Sequence, residues 1–171
     1  MSATPTDSLV STLGTLDVPC EQTTPEAFEE ALSPHLRGRS VGVELDGIDA
    51  SLTRTDVEVD PTPAALKAAT TGVTPASFAI GDYGSVVVPE SPAGSDLVSL
   101  FVDRHVAIVN ERDVVPDMEA AFDRFGEAFR ERTQSGIIAT GPSATADMGE
   151  LVRGAHGPSE VHVLVVEAAD E

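Results

Sequence analysis

Apolar positions follow two rhythms along this chain. From about residue 37 onward, short unbroken runs rich in Val and Ile alternate with stretches where apolar residues return every three or four positions. The runs at 39–45 (RSVGVEL), 55–59 (TDVEV), 78–80 (FAI), 85–89 (SVVVP), 105–110 (HVAIVN), 136–140 (GIIAT) and 161–167 (VHVLVVE) predict strands. Several are continuous rather than alternating, as in strands covered on both faces. Helical spacing over 62–69, 95–101, 115–132 and 147–153 predicts the intervening helices. The clearest is 115–132, where Val115, Met118, Phe122, Phe125 and Phe129 form one stripe opposite Asp117, Glu119, Asp123, Arg124, Glu127 and Arg130. That stripe is expected to pack into the core. Strands alternating with helices predict an α/β fold: a single open, mainly parallel sheet flanked by helices.

The first 36 residues read differently. Thr4-Pro5 and Thr24-Pro25-Glu26 each set a capping hydroxyl before a proline at a helix start. Phe28, Leu32 and Leu36 then repeat at four-residue spacing. This predicts an N-terminal helical arm over 1–36, followed by the α/β domain over 37–171.

Charge changes the picture of the surface. Twenty-nine Asp and Glu face ten Lys and Arg, a net charge of −19, and Lys67 is the only lysine. Self-repulsion of that size opposes compaction in dilute salt, whereas molar salt shortens the Debye length to about 3 Å. The acids are spread along the chain rather than gathered into a tail, so they read as halophilic adaptation of an acidic surface rather than as a docking face. A surface of this sign is a poor partner for nucleic acid. The single cysteine, Cys20, allows no internal disulfide and no thiolate-held cluster or structural zinc in this chain. The N-terminus shows no basic segment leading into an apolar stretch, and no apolar run approaches the ~20 residues of a membrane span. A soluble cytoplasmic protein is expected.

Two loops carry candidate chemistry, since ligands in open α/β sheets gather beyond the carboxyl ends of strands. After the 136–140 run, Gly141 permits a sharp turn, Pro142 stiffens it, and Ser143 and Thr145 offer hydroxyls. A helix starting at Asp147 would aim backbone N–H groups at a carboxylate or phosphate. The competing reading is a helix cap, because Asp147 and Glu150 have capping-box spacing. The second loop is Gly81-Asp82-Tyr83-Gly84-Ser85, where Asp82, Tyr83, Gly84 and Ser85 would line a pocket or simply make a hairpin turn. Of four histidines, His156 sits in a loop suited to ligand contact or proton transfer. His105, opening a strand, reads as a surface residue, and His162 as a satisfied structural one. No two histidines have the i, i+4 spacing of a zinc helix, so no metal site is expected. Phosphate-binding glycine loops and a nucleophile elbow are missing.

The run Gly141-Pro142-Ser143-Ala144-Thr145-Ala146-Asp147-Met148, then His156-Gly157-Pro158, then Val161 to Val166 with His162 in second place, resembles the LUD-domain family and its lactate-utilisation protein C group. Gly72 to Ile80 is similar to the family segment that leads into a Glu-Thr-Gly turn; Asp82-Tyr83-Gly84 stands there instead, with a shorter carboxylate and a bulky phenol. Arg153 replaces a usual apolar residue and would add a cation near the loop. The resemblance covers about residues 37–168. It implies a sheet related to the ribose-5-phosphate isomerase and CoA-transferase-like superfamily. It also implies an accessory role in oxidising lactate to pyruvate, with iron–sulfur clusters in cysteine-rich partner proteins and no cofactor in this chain. A small carboxylate would then rest at Ser143, Thr145 and neighbouring N–H groups. The alternative is a stand-alone transferase-like enzyme using Asp82 and His156, and a third reading is a scaffold domain without a ligand.

Overall fold

A computed structural model of the protein describes residues 3–131, 135–147, 150–154 and 156–168. Six parallel strands form the main sheet. They are β1 (Cys20–Thr23), β2 (Ser40–Gly42), β3 (Val57–Val59), β4 (Thr71–Pro75), β7 (Arg104–Asn110) and β12 (Glu160–Val166), in the order β1-β12-β7-β4-β2-β3. The intervening β5 (Phe78–Ile80), β6 (Ser85–Pro89), β8 (Val114–Val115) and β9 (Gly136–Ala139) build a second, four-stranded sheet in the order β8-β5-β6-β9. The expected single sheet is therefore joined by a smaller one. The long helix α5 (Met118–Glu131) packs on it through Met118, Ala121 and Phe125, and Phe125 meets Phe78 edge-on at 5.1 Å.

Alternation along the central strands fixes what each face holds. Val161, Val163 and Val165 of β12, with Ala107 and Val109 of β7, face helix α1 (Pro5–Thr15) through Leu9 and Leu13. Leu164, Val166, Val106 and Ile108 face the other way, against Phe28 and Leu32 of the short helix α2 (Phe28–Leu32). The Thr4 hydroxyl accepts from Asp7 N and the Asp7 carboxylate accepts from Thr4 N, so α1 starts on a reciprocal cap. At α3 (Pro63–Lys67) the cap is one-way, the Thr62 hydroxyl accepting from Ala65 N. Helix α4 (Ser95–Phe101) lies so close to β4 that a Cβ at Gly72 would come within 2.9 Å of the Val98 carbonyl oxygen.

Several expectations change here. Residues 1–36 contribute an edge strand and two core faces, so the packing draws no boundary at 36. Leu9 is fully buried and Leu13 is 1% exposed. Leu13→Ala should accordingly lower the unfolding free energy by about 3 kcal/mol, as for an ordinary core leucine; denaturant titration in molar salt measures this, and a loss of a few tenths would show a loosely held arm. The 147–153 helix is replaced by a hairpin, β10 (Ala144–Asp147) against β11 (Glu150–Arg153), with Asp147 paired to Glu150. The i, i+3, i+4 spacing of Met148, Leu151 and Val152 reads as helical, but Gly149 disfavours a helix interior, and in the hairpin Leu151 and Val152 are exposed. The α5 stripe is only partly buried: Phe122 and Phe129 are 67% and 58% exposed. Val115, expected at the start of that helix, lies in β8.

Candidate functional site

The loop leaving β9 is held from three sides. Its first residue, Thr140, shares a 2.6 Å hydroxyl–hydroxyl hydrogen bond with Ser85, which is fully buried at the start of β6. Gly141 follows at φ +72°, the left-handed region that glycine occupies without strain, and turns the chain over Val18. Ser143 then engages the 154–158 loop with its backbone. Ser143 N donates to the Pro158 carbonyl at 2.8 Å, and Gly154 N donates to the Ser143 carbonyl at 2.9 Å. Gly157 lies directly against the Ser143 side chain, where a Cβ would stand 3.0 Å from Ser143 Cβ. The two sequence segments, 140–144 and 156–158, are thus one structural unit.

Together they wall a cavity of about 300 Å³ with Ser99 and Leu100 of α4, Ile137 and Ala139 of β9, and His105 and Val161 of the main sheet. That volume sits at the small end for ligand pockets and admits a metabolite of a few carbons. Gly141, Pro142, Ser143 and His156 all line it. His105 does too, although its position at a strand start had placed it on the surface. It is 1% exposed, its Nε2 lies 2.9 Å from the Thr74 hydroxyl, and burial pushes its pKa down to about 4. It faces the cavity as a neutral imidazole at ordinary pH. Its burial comes from its pairing between Val161 of β12 and Gly72 of β4, which the local sequence does not signal.

Other expected site residues fall elsewhere. Asp82 and Tyr83 are exposed on the turn between β5 and β6, and neither lines this cavity. That turn rests on α1, with Gly84 against Thr12, Leu13 and Leu16, and Asp82 N donates to the Pro116 carbonyl. Ser85 reaches the cavity wall only through Thr140. Of Thr145 and Asp147 the structure describes the backbone, inside β10. Arg153 is exposed opposite Ala144 in the hairpin. With the hairpin in place of a helix, no helix start aims N–H groups at the loop, and Ser143 N is already committed to Pro158. The lining side chains that could donate include the Ser143 hydroxyl and the His156 ring.

A six-stranded parallel sheet carrying this double loop beyond its main body defines an α/β protein with a small pre-formed pocket. Residues 23–166 match the LUD domain, and the chain belongs to that family. Among curated relatives it is 32% identical over 97 residues to lactate utilization protein C of Deinococcus radiodurans, covering 55% of this chain and 45% of that protein. It is 27% identical over 100 residues to lactate utilization protein B of Bacillus pumilus, covering 56% of this chain and 20% of that one. The match thus spans less than half the length of either relative. The crystal structure of a DUF162 family protein from Deinococcus radiodurans superposes with a TM-score of 0.67 at 20% identity, over 95% of this chain and 96% of that one. Among the described residues, no helix is long and apolar enough to cross a membrane.

Proposed function

We propose that this chain serves lactate utilisation as an accessory subunit without a cluster of its own, and that the 140–144 and 156–158 loops hold a small carboxylate such as lactate. The observation that carries the reading is the coincidence of family and cavity: the motif residues Gly141, Pro142, Ser143 and His156 line one hollow of about 300 Å³ inside the stretch that matches the LUD domain. The Ser143 hydroxyl and the His156 ring would donate to the carboxylate oxygens, while Leu100, Ile137 and Val161 would cover a short carbon skeleton. Electrons from lactate would pass to iron–sulfur partners rich in cysteine. Cys20 does not serve that purpose, because burial, with the Glu21 charge beside it, pushes its thiol up to about 12.

Two measurements separate the parts of this reading. In molar potassium chloride, lactate or pyruvate at a hundred times its Kd should stabilise the fold by about 2.7 kcal/mol, read as a rise in Tm. Ser143→Ala and His156→Gln should each remove most of that rise. If neither acid shifts the Tm of the wild type, the carboxylate site is lost. Affinity purification in the same salt should recover a cysteine-rich iron–sulfur protein, and its consistent absence would remove the subunit role. A stand-alone reaction using Asp82 with His156 is less well supported, because the two do not line a common cavity.

A further inference from the structure

On the opposite face of the main sheet, at its β1 edge, three metal-ligating side chains meet. Glu21 comes from β1, His162 from β12, and His35 from the 3-10 turn that follows α2. Register explains the meeting. Glu21 pairs with Leu164, so it points to the same face as Leu164 and His162, over which the chain folds back to bring His35. The His35 and His162 rings stack with centroids 3.5 Å apart. Glu21 Oε1 lies 3.4 Å from His35 Nε2 and 3.8 Å from His162 Nε2, and one ligand atom from each of the three falls within 4.8 Å of the others.

Packing alone does not account for this cluster. His162 is 1% exposed, yet neither of its ring nitrogens has a hydrogen-bond partner, and His35 Nε2 is likewise buried with no well-formed hydrogen bond, only the 3.4 Å contact to Glu21. Buried polar atoms are nearly always satisfied, so three ring nitrogens without hydrogen bonds, two of them (His35 Nε2 and His162 Nε2) within 4 Å of one carboxylate, mark a place for something that accepts lone pairs. We propose that Glu21, His35 and His162 bind a zinc-class divalent ion. Two imidazoles and a carboxylate are a donor set that zinc takes, with a fourth position left for water. Tetrahedral bonds of about 2.0–2.2 Å place ligand atoms roughly 3.3–3.5 Å apart, close to the spacings around Glu21 Oε1.

Converging both lone pairs on one ion requires the His35 ring to turn out of the stack, while His162 stays fixed by burial. The half-exposed Glu21 side chain leaves the ion open to solvent. Nearby cations do not block it: Arg104 is paired with Glu160, and Arg37 lies 3.8 Å from the same carboxylate. Cys20 packs on the other face of the sheet and is not a ligand. Bound there, the ion would clasp the 20–35 segment onto β12. It would act as a fastener, separate from the cavity behind the Gly141 loop.

The test uses the full chain, stripped with chelator and dialysed against zinc in molar potassium chloride with millimolar magnesium, which occupies the scattered surface carboxylates. We expect about one zinc per chain, and visible absorption bands of a low-coordinate site when cobalt(II) replaces it. Glu21→Gln and His35→Gln should each weaken zinc on the order of a hundredfold. Neither side chain is among the fully buried, so folding of each variant can be checked by its metal-free Tm. Zinc should raise the Tm of the wild type and leave both variants unmoved. Failure to bind zinc, or equal binding by wild type and both variants, overturns the proposal.

Discussion

Moved from molar to about 0.1 M potassium chloride, the protein is expected to lose most of its folded population. The cause is its excess of 19 negative charges. Few of them are locally offset: exposed Arg39 pairs with Glu58 and exposed Arg54 with Glu29, and pairs of that kind contribute little. Spread over a domain of this size, the excess raises the folded state's self-repulsion relative to the unfolded chain by on the order of 7 kcal/mol between 1 M and 0.1 M salt. Total stability of a single domain is about 5–15 kcal/mol, so the loss is comparable to the whole. Circular dichroism across a salt series, with the metal and ligand content held constant, measures it. A Tm that stays level between 0.1 M and 2 M would dismiss salt adaptation as the meaning of the acidity.

Acid should unfold the protein well before its carboxylates are fully protonated, and His105 supplies a defined share. Its folded pKa is about 4 against an ordinary 6.5, because burial penalises the charged ring. The unfolded chain therefore takes up the proton first. The neutral ring's contribution is complete above pH 6.5, is lost as pH falls from 6.5 toward 4, and changes no further below that. The full difference is about 3 kcal/mol. His162 is also lowered by burial to about 4, and His35 is lowered in the same direction, so the diagnostic is a comparison. In molar salt, His105→Gln should unfold with a pH dependence shallower by about that 3 kcal/mol, whatever its stability at pH 7. Parallel curves for variant and wild type would show that His105 is not a buried neutral base.

Sequence pattern carried the main sheet well where strands are covered on both faces. In it β7 and β12 shift by a single position, and outside it β6 at 85–89 and α4 at 95–101 appear at the expected residues. Two main-sheet strands left no such trace. In β1 (CEQT) only Thr23 is buried, so an edge strand reads as loop, and β4 (TGVTP) carries glycine and proline that read as turn. The hairpin at 144–153 was misread because capping-box spacing and a tight antiparallel turn use the same residue types. At the candidate site, Gly141 to Ser143 and His156 were legible as motifs, and their meeting was not, since it depends on backbone bonds between distant loops. The Glu21, His35 and His162 cluster was invisible for a similar reason: parallel register joins Glu21 to the strand of His162, and the fold-back after α2 adds His35.

The pairing of β1 with β12 also bears on how the molecule is made. The first strand of the sheet waits for the last one, so a ribosome must deliver residue 166 before the edge can close. Until then Phe28 and Leu32 lack the cover of Leu164 and Val166 on the nascent chain. The β1 edge of the sheet therefore closes late, and during that interval the dense negative charge opposes adhesion between growing chains.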